Sequence, residues 1–277
     1  SEMCIRDRID TVLLDYPESS KPDLQEVAEA LSADEDITEV AVVHCETTTG
    51  LINPVREIGA IVKEHNRRFF VDAMSSFGAV PLNLAEWGID YLVTSANKCI
   101  EGVPGFGIIL ARREALEEAE GYARSLSLDL VAQWRRLEKD GQFRFTPPTH
   151  ALVAFHQALV ELEKEGGVEA RAARYRANRQ TLLAGMRAMG FQEYLRPEDQ
   201  GYIITSFRYP DHPNFNFDEF YRRLNEKGYV IYPGKVSRED CFRIGSIGRI
   251  FPSDVRALLA AIRETLEEMG VELGVKG

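Results

Sequence analysis

The sequence predicts an α/β protein, with a large domain on a mostly parallel sheet and a smaller α+β C-terminal domain. Three observations predict it. Short apolar runs alternate with amphipathic helical patterns from residue 10 to about 115. The polar ends of three of those runs are spaced 25 and 26 residues apart (Thr47, Asp72, Lys98), room for one crossover each. After "RFTPPTHA" (144–151) the alternation stops, and long helices precede a run of strands. Strands that alternate with helices imply a sheet covered on both faces.

The elements follow in order. "PDLQEVAEAL" (22–31) reads as a helix with Pro22 in its first turn, and "EVAVVHC" (39–45) as a buried strand. "NPVREIGAIVKEH" (53–65) is a helix with Asn53 as N-cap and Pro54 at its first position. "RFFVDA" (68–73) and "DYLVTS" (90–95) are strands on either side of the short turn "LAEWG". "GFGIILAR" (105–112) is a fourth strand, ahead of the charged helix "REALEEAEGYA". Residues 150–164 and 168–189 form two long helices around the "KEGGVE" break. Then come "GYIITSFRY", the helix "FDEFYRRLNEKG", the strands "YVIYPG" and "DCFRIGSIG", and the last helix "PSDVRALLAAIRETLEEMG". The expected division is a non-family or foreign start at 1–9, a large domain at 10–165 and a small domain at 166–277.

Composition narrows the function. A net charge of −11 over 277 residues lacks the basic footprint of a nucleic-acid or anionic-membrane binder. It leaves room for a locally positive pocket that takes a small anion. Cys4, Cys45, Cys99 and Cys241 lie far apart without a CxxC or metal spacing, which predicts free thiols in a reducing, cytoplasmic setting. No apolar run approaches the ~18 residues of a bilayer span. "SEMCIRDR" is not a secretory signal.

Successive parallel strands of an open sheet end on one edge, where ligands bind. Strand 39–45 runs into Thr47, strand 68–71 into Asp72 and strand 90–95 into Lys98. A hydroxyl, a carboxylate and an amine therefore share one rim. An amine that forms an imine must be neutral when it attacks, and a carboxylate can hold a cofactor's ring nitrogen protonated. Each residue also has a plainer reading. Asp72 can cap the turn after its strand, Lys98 can be solvated, and Thr47 can serve turn bonding. Gly102, Gly105 and Gly107 fit neither a P-loop nor a dinucleotide fingerprint and read as a tight turn. Cys45 and Cys99 read as small buried hydrophobes.

The runs "VHCETTTGLINPV", "DAMSSFG", "SANKCIEGVPGFG", "RSLSLDL", "QWRRLEKDGQFRFTPPTH" and "FYRRLNEKGYVIYPGKVSREDCFRIGSIG", with their spacing, carry a resemblance. From about residue 10 onward the chain resembles the class V aminotransferases of fold type I. The resemblance implies a pyridoxal 5'-phosphate (PLP) cofactor, with Lys98 its carrier and proton shuttle and Asp72 the partner of the pyridine nitrogen. It implies that Thr47 lies near the ring oxygen and that Thr146 reaches the cofactor phosphate of a neighbouring subunit, hence a homodimer. Arg243 would receive the substrate's acid group; a planar guanidinium suits carboxylate and phosphonate alike. On their own, Arg243 reads as a strand-edge arginine and Thr146 as a turn residue before two prolines.

Within the family, the runs around Lys98, Arg124 and Val230 point to transfer of the amino group of 2-aminoethylphosphonate to pyruvate. The products would be phosphonoacetaldehyde and alanine. The alternatives are alanine–glyoxylate or serine–pyruvate transamination, which share the Asp72, Lys98 and Arg243 frame, and a silent binding protein on the same fold. A nicotinamide oxidoreductase is disfavoured, since no GxGxxG follows the first strand. Family members begin with a segment that supplies a phosphate-binding loop and a ring-stacking residue. Nothing at residues 1–20 matches it, so the sequence leads us to expect a partial enzyme that binds PLP weakly.

Overall fold

The computed structural model describes residues 9–234 and 239–274. The "SEMCIRDR" start with Cys4, and residues 235–238, which include the end of the "VIYPGKVS" run, lie outside the described residues.

The first sheet is built from β1 (Glu39–Val43), β2 (Arg68–Asp72), β3 (Tyr91–Ser95) and β4 (Gly107–Ala111), in that order. β1, β2 and β3 are parallel, with Val43 paired to Asp72 and Asp72 to Val93. β4 runs antiparallel to β3. The reason is the loop 96–106. It contains no helix and falls short of the dozen or so residues that a parallel return requires.

α1 (Leu24–Ala33) and α2 (Val55–Glu64) cover one face of this sheet. Val27 and Leu31 of α1 and Val55, Ile58 and Val62 of α2 meet Phe69, Val71 and Leu92 in one buried cluster. Asp23 caps α1 by accepting from the Gln25 N–H. Asn53 does not cap α2 as its type and place predicted. Its amide donates to the Val43 carbonyl at 2.8 Å and to Glu46 Oε1 at 2.9 Å, and Pro54 takes the capping position without a side-chain bond. The strand end and the turn after it offer Asn53 better acceptors than the helix terminus does.

After α3 (Arg113–Glu118) comes a helix that the sequence reading left out, α4 (Leu130–Asp140). Its signals are ordinary ones. Asp129 accepts from the Ala132 N–H, and Gly141 closes the end at φ 69°. α5 (Thr149–Glu165) and α6 (Gly167–Ala188) match the two predicted long helices.

The second sheet has the order β5 (Ile204–Arg208), β7 (Cys241–Gly245), β6 (Tyr232–Pro233) and is antiparallel throughout. α7 (Phe217–Glu226) and α8 (Pro252–Glu268) pack on it. Phe191, Phe207, Phe220 and Phe242 form its aromatic centre, with edge-on and stacked ring contacts. α6 contributes to both halves. Tyr175 packs with Cys45, Ala79, Cys99 and Ile203, while Leu182, Leu183 and Met186 belong to the second core. The division of the chain at residues 165 and 166 stands as a proposal.

Gly50 lies where the two sheets meet. Its φ is 87°, and a β-carbon there would stand 2.1 Å from the Ile204 carbonyl oxygen. Gly50→Ala combines a left-handed backbone with a backbone collision. We expect it to lower unfolding stability by about 2 kcal/mol or more in urea denaturation.

Candidate active site

The carboxyl ends of β1, β2 and β3 open onto one edge, and Thr47, Asp72 and Lys98 follow them there. The turn after β1 is closed by its own backbone: Glu46 N–H donates to Leu51 O, and Gly50 N–H to Glu46 O. Thr47 is exposed at its tip. The second sheet holds this turn from outside. Ser206 Oγ donates to the Thr48 carbonyl at 3.1 Å, and Gly201 N–H to the Gly50 carbonyl at 2.9 Å.

Arg243 reaches the same turn. One guanidinium nitrogen donates to the Thr47 carbonyl, Nε donates to Pro233 O at 3.3 Å, and the group lies over the Tyr232 ring. The structure thus joins Arg243 to Thr47 directly, although the two are 196 residues apart. Among the described residues Arg243 has no ion pair.

Asp72 is half-buried at the end of β2. One carboxylate oxygen accepts from the Met74 N–H at 2.8 Å, the turn-capping bond of its plainer reading. Lys98 is half-buried in the turn after β3, and its carbonyl accepts from the Glu101 N–H. Among the described residues, neither the second Asp72 oxygen nor Lys98 Nζ has a hydrogen bond or ion pair. A carboxylate and an amine left open on one edge fit a PLP ring as chemistry. Thr146 is exposed ahead of α5, and no hydrogen bond among the described residues joins it to the other four.

Two groups escaped the sequence reading. His44 is buried, with Nδ1 and Ser76 Oγ 2.9 Å apart and its ring edge-on to Trp87. Burial lowers its pKa to about 4. Glu46 stands close enough to Asp72 to feel its charge. Its pKa is raised chiefly by burial and by that neighbour, against the Asn53 amide that favours the carboxylate. A histidine in an apolar strand and a glutamate in a turn carry no pattern that marks them in advance. Cys45 and Cys99 are buried free thiols, as their small apolar character suggested, and burial pushes Cys45 up to about 12. No helix among the described residues is long and apolar enough to cross a membrane.

The profile of the aminotransferase class-V family matches residues 2–242. The chain belongs to that family, and its fold is that of the fold-type-I PLP aminotransferases; it is a PLP-dependent transaminase. It is 54% identical over 250 residues to the 2-aminoethylphosphonate–pyruvate transaminase of Vibrio vulnificus, covering 90% of this chain and 68% of that one. It is 55% identical over 258 residues to the enzyme of that name in Syntrophobacter fumaroxidans, covering 93% and 70%. Among solved structures it resembles pyridoxamine–pyruvate aminotransferase from Mesorhizobium loti (TM-score 0.85, 29% identity), covering 95% of this chain and 68% of that one. It shares its fold with alanine–glyoxylate aminotransferase from Nostoc (TM-score 0.85, 23% identity), covering 96% and 71%.

The His44 environment has a pH consequence. Its folded pKa lies below the ordinary value near 6.5, so the unfolded chain binds the extra proton first. The stabilisation is therefore present above about pH 6.5 and is lost as pH falls toward 4. Between pH 7 and pH 5 this group costs about 2 kcal/mol of stability. His44→Gln should remove that part of the slope, read as urea midpoints at the two pH values.

Proposed function

We propose that this protein moves the amino group of 2-aminoethylphosphonate to pyruvate, releasing phosphonoacetaldehyde and alanine. The observation that carries the reading is the Lys98–Asp72 edge together with Arg243, which has no ion pair among the described residues, beside the Thr47 turn. The likeness to transaminases of that name supports the choice of substrate.

PLP, when bound, supplies an electron sink for the bond that breaks at the amine-bearing carbon. Lys98 would hold it and move the proton at that carbon, as base for the donor and as acid for the acceptor. Asp72 would keep a proton on the ring nitrogen, and Thr47 would lie near the ring oxygen. Arg243 binds the phosphonate of the donor and then the carboxylate of pyruvate, exchanging the Thr47 carbonyl for a charged acceptor, which is the stronger bond. Glu46 lies half-buried near Asp72, and its raised pKa reflects burial and the crowding of two acids on this edge. Thr146, exposed ahead of α5, suits a role toward the cofactor phosphate of a second subunit in a homodimer.

Purified protein supplied with PLP and pyruvate should use 2-aminoethylphosphonate in preference to alanine or serine. A preference for alanine with glyoxylate or for serine would replace this reading with the other class V activities. Lys98→Ala should lower kcat by about 10²–10⁴-fold or more. Arg243→Ala should raise KM for both substrates by roughly tenfold to a hundredfold, since each loses a charge-assisted bond. An effect on only one substrate would show that their acid groups bind at different places.

A further inference from the structure

The turn that carries Lys98 is anchored to α6 by a buried ionic cluster that the catalytic reading leaves unused. Arg171 is 1% exposed. Its Nε and Nη2 both donate to Glu165 Oε2, at 3.0 and 2.9 Å, which already meets the need of a buried charge for a partner. Its remaining nitrogen, Nη1, donates to the carbonyls of Cys99 and Ile100, at 2.8 and 3.1 Å. Those are the two peptides that follow Lys98. Glu101 then closes the turn in the left-handed region, at φ 65°, which a residue with a side chain adopts at a cost. Its carboxylate is held from two sides, accepting from Tyr175 Oη at 2.7 Å and from Arg174 Nη2 at 2.8 Å.

The same groups hold the segment beyond Arg243. Tyr175 Oη, while donating to Glu101, accepts the Gly248 N–H at 3.0 Å. Arg174 Nη1 donates to the carbonyls of Gly248 and Ile250, at 2.7 and 3.2 Å. One hydroxyl thus links the Lys98 turn to the loop that leaves β7, the strand of Arg243. Apolar side chains could fill this space without the desolvation cost of two arginines and two glutamates. What the polar cluster adds is direction, because every bond in it ends on a fixed backbone atom or on the other ion.

We propose that Arg171, Arg174 and Tyr175, with Glu101 and Glu165, are positioning residues that set the spacing between Lys98 and Arg243, and so the length of donor the site accepts. This inference rests on the roles given to Lys98 and Arg243 above. A donor must place its amine at one and its acid at the other, so a fixed spacing selects the number of carbons between them. A shift near 1 Å in such a geometry can cost about a hundredfold in rate.

The test compares the wild-type chain, supplied with PLP and pyruvate, with Tyr175→Phe and Arg171→Lys. Tyr175→Phe removes one oxygen and keeps the ring. Arg171→Lys keeps the charge but, with a single nitrogen on a shorter reach, cannot hold Glu165 and the two carbonyls at once. The first readout is the ratio of kcat/KM for 2-aminoethylphosphonate over 3-aminopropylphosphonate, which should fall about tenfold in both variants. A merely structural role lowers both substrates by the same factor. The second readout needs no turnover and is made before PLP is added, when the Lys98 amine is free: reductive methylation of Lys98, followed by peptide mass spectrometry and normalised to surface Lys63. Loosening the turn should raise the Lys98 rate by about threefold or more. A constant donor ratio in an active protein overturns the proposal, and so does an unchanged Lys98 methylation rate. If the wild-type chain uses neither phosphonate, the substrate reading fails, and the methylation arm alone decides whether the cluster holds Lys98.

Discussion

Three strands that run the same way bring their carboxyl ends to one edge, and the site depends on that alignment. The pairing of Val43 with Asp72 and of Asp72 with Val93 brings the three strand ends level. The backbone continues the ladder past the strands, since His44 N–H donates to Asp72 O and Ala73 N–H to Val93 O. A turn residue that follows such a strand has little freedom in where its backbone lies. Thr47, Asp72 and Lys98 gain their common edge from peptide hydrogen bonds that involve none of their side chains.

The second half of the site comes from a different kind of contact. Each sheet has an apolar core of its own, and the Thr47 turn meets the second half both through apolar contacts, Leu51 with Cys241 and Cys45 with Ile203, and through polar bonds from Ser206, Gly201 and Arg243. Apolar contacts are indifferent to direction, while hydrogen bonds fix register. Such a seam sets the angle at which Arg243 is offered to a ligand. It also leaves Arg243 on a carbonyl, a partner weak enough to be exchanged for an anion.

Much of this was legible in advance, for physical reasons. The apolar runs marked β1, β2 and β3, although only β2 and β3 bury alternate residues and β1, read as a buried strand, is exposed or half-buried along Glu39–Val43. The spacing of Thr47, Asp72 and Lys98 placed them on one rim, because a parallel sheet leaves a crossover only one way to return. The α4 helix was missed although Asp129 and Gly141 were there to bound it. Asn53 was misassigned, because its local pattern as a cap gave no hint of the acceptors that β1 and Glu46 supply.

The sequence by itself determined the class of fold, the order of the elements and the edge that carries an amine and a carboxylate. These follow from local periodicity and from the handedness of crossovers. Only the tertiary structure decided that Arg171 is buried, in a helix rich in arginines. The tertiary structure alone also placed Arg243 against Thr47 and made His44 a neutral group in an apolar pocket. Burial and long-range partners depend on which elements meet, and no stretch of sequence contains both sides of such a contact.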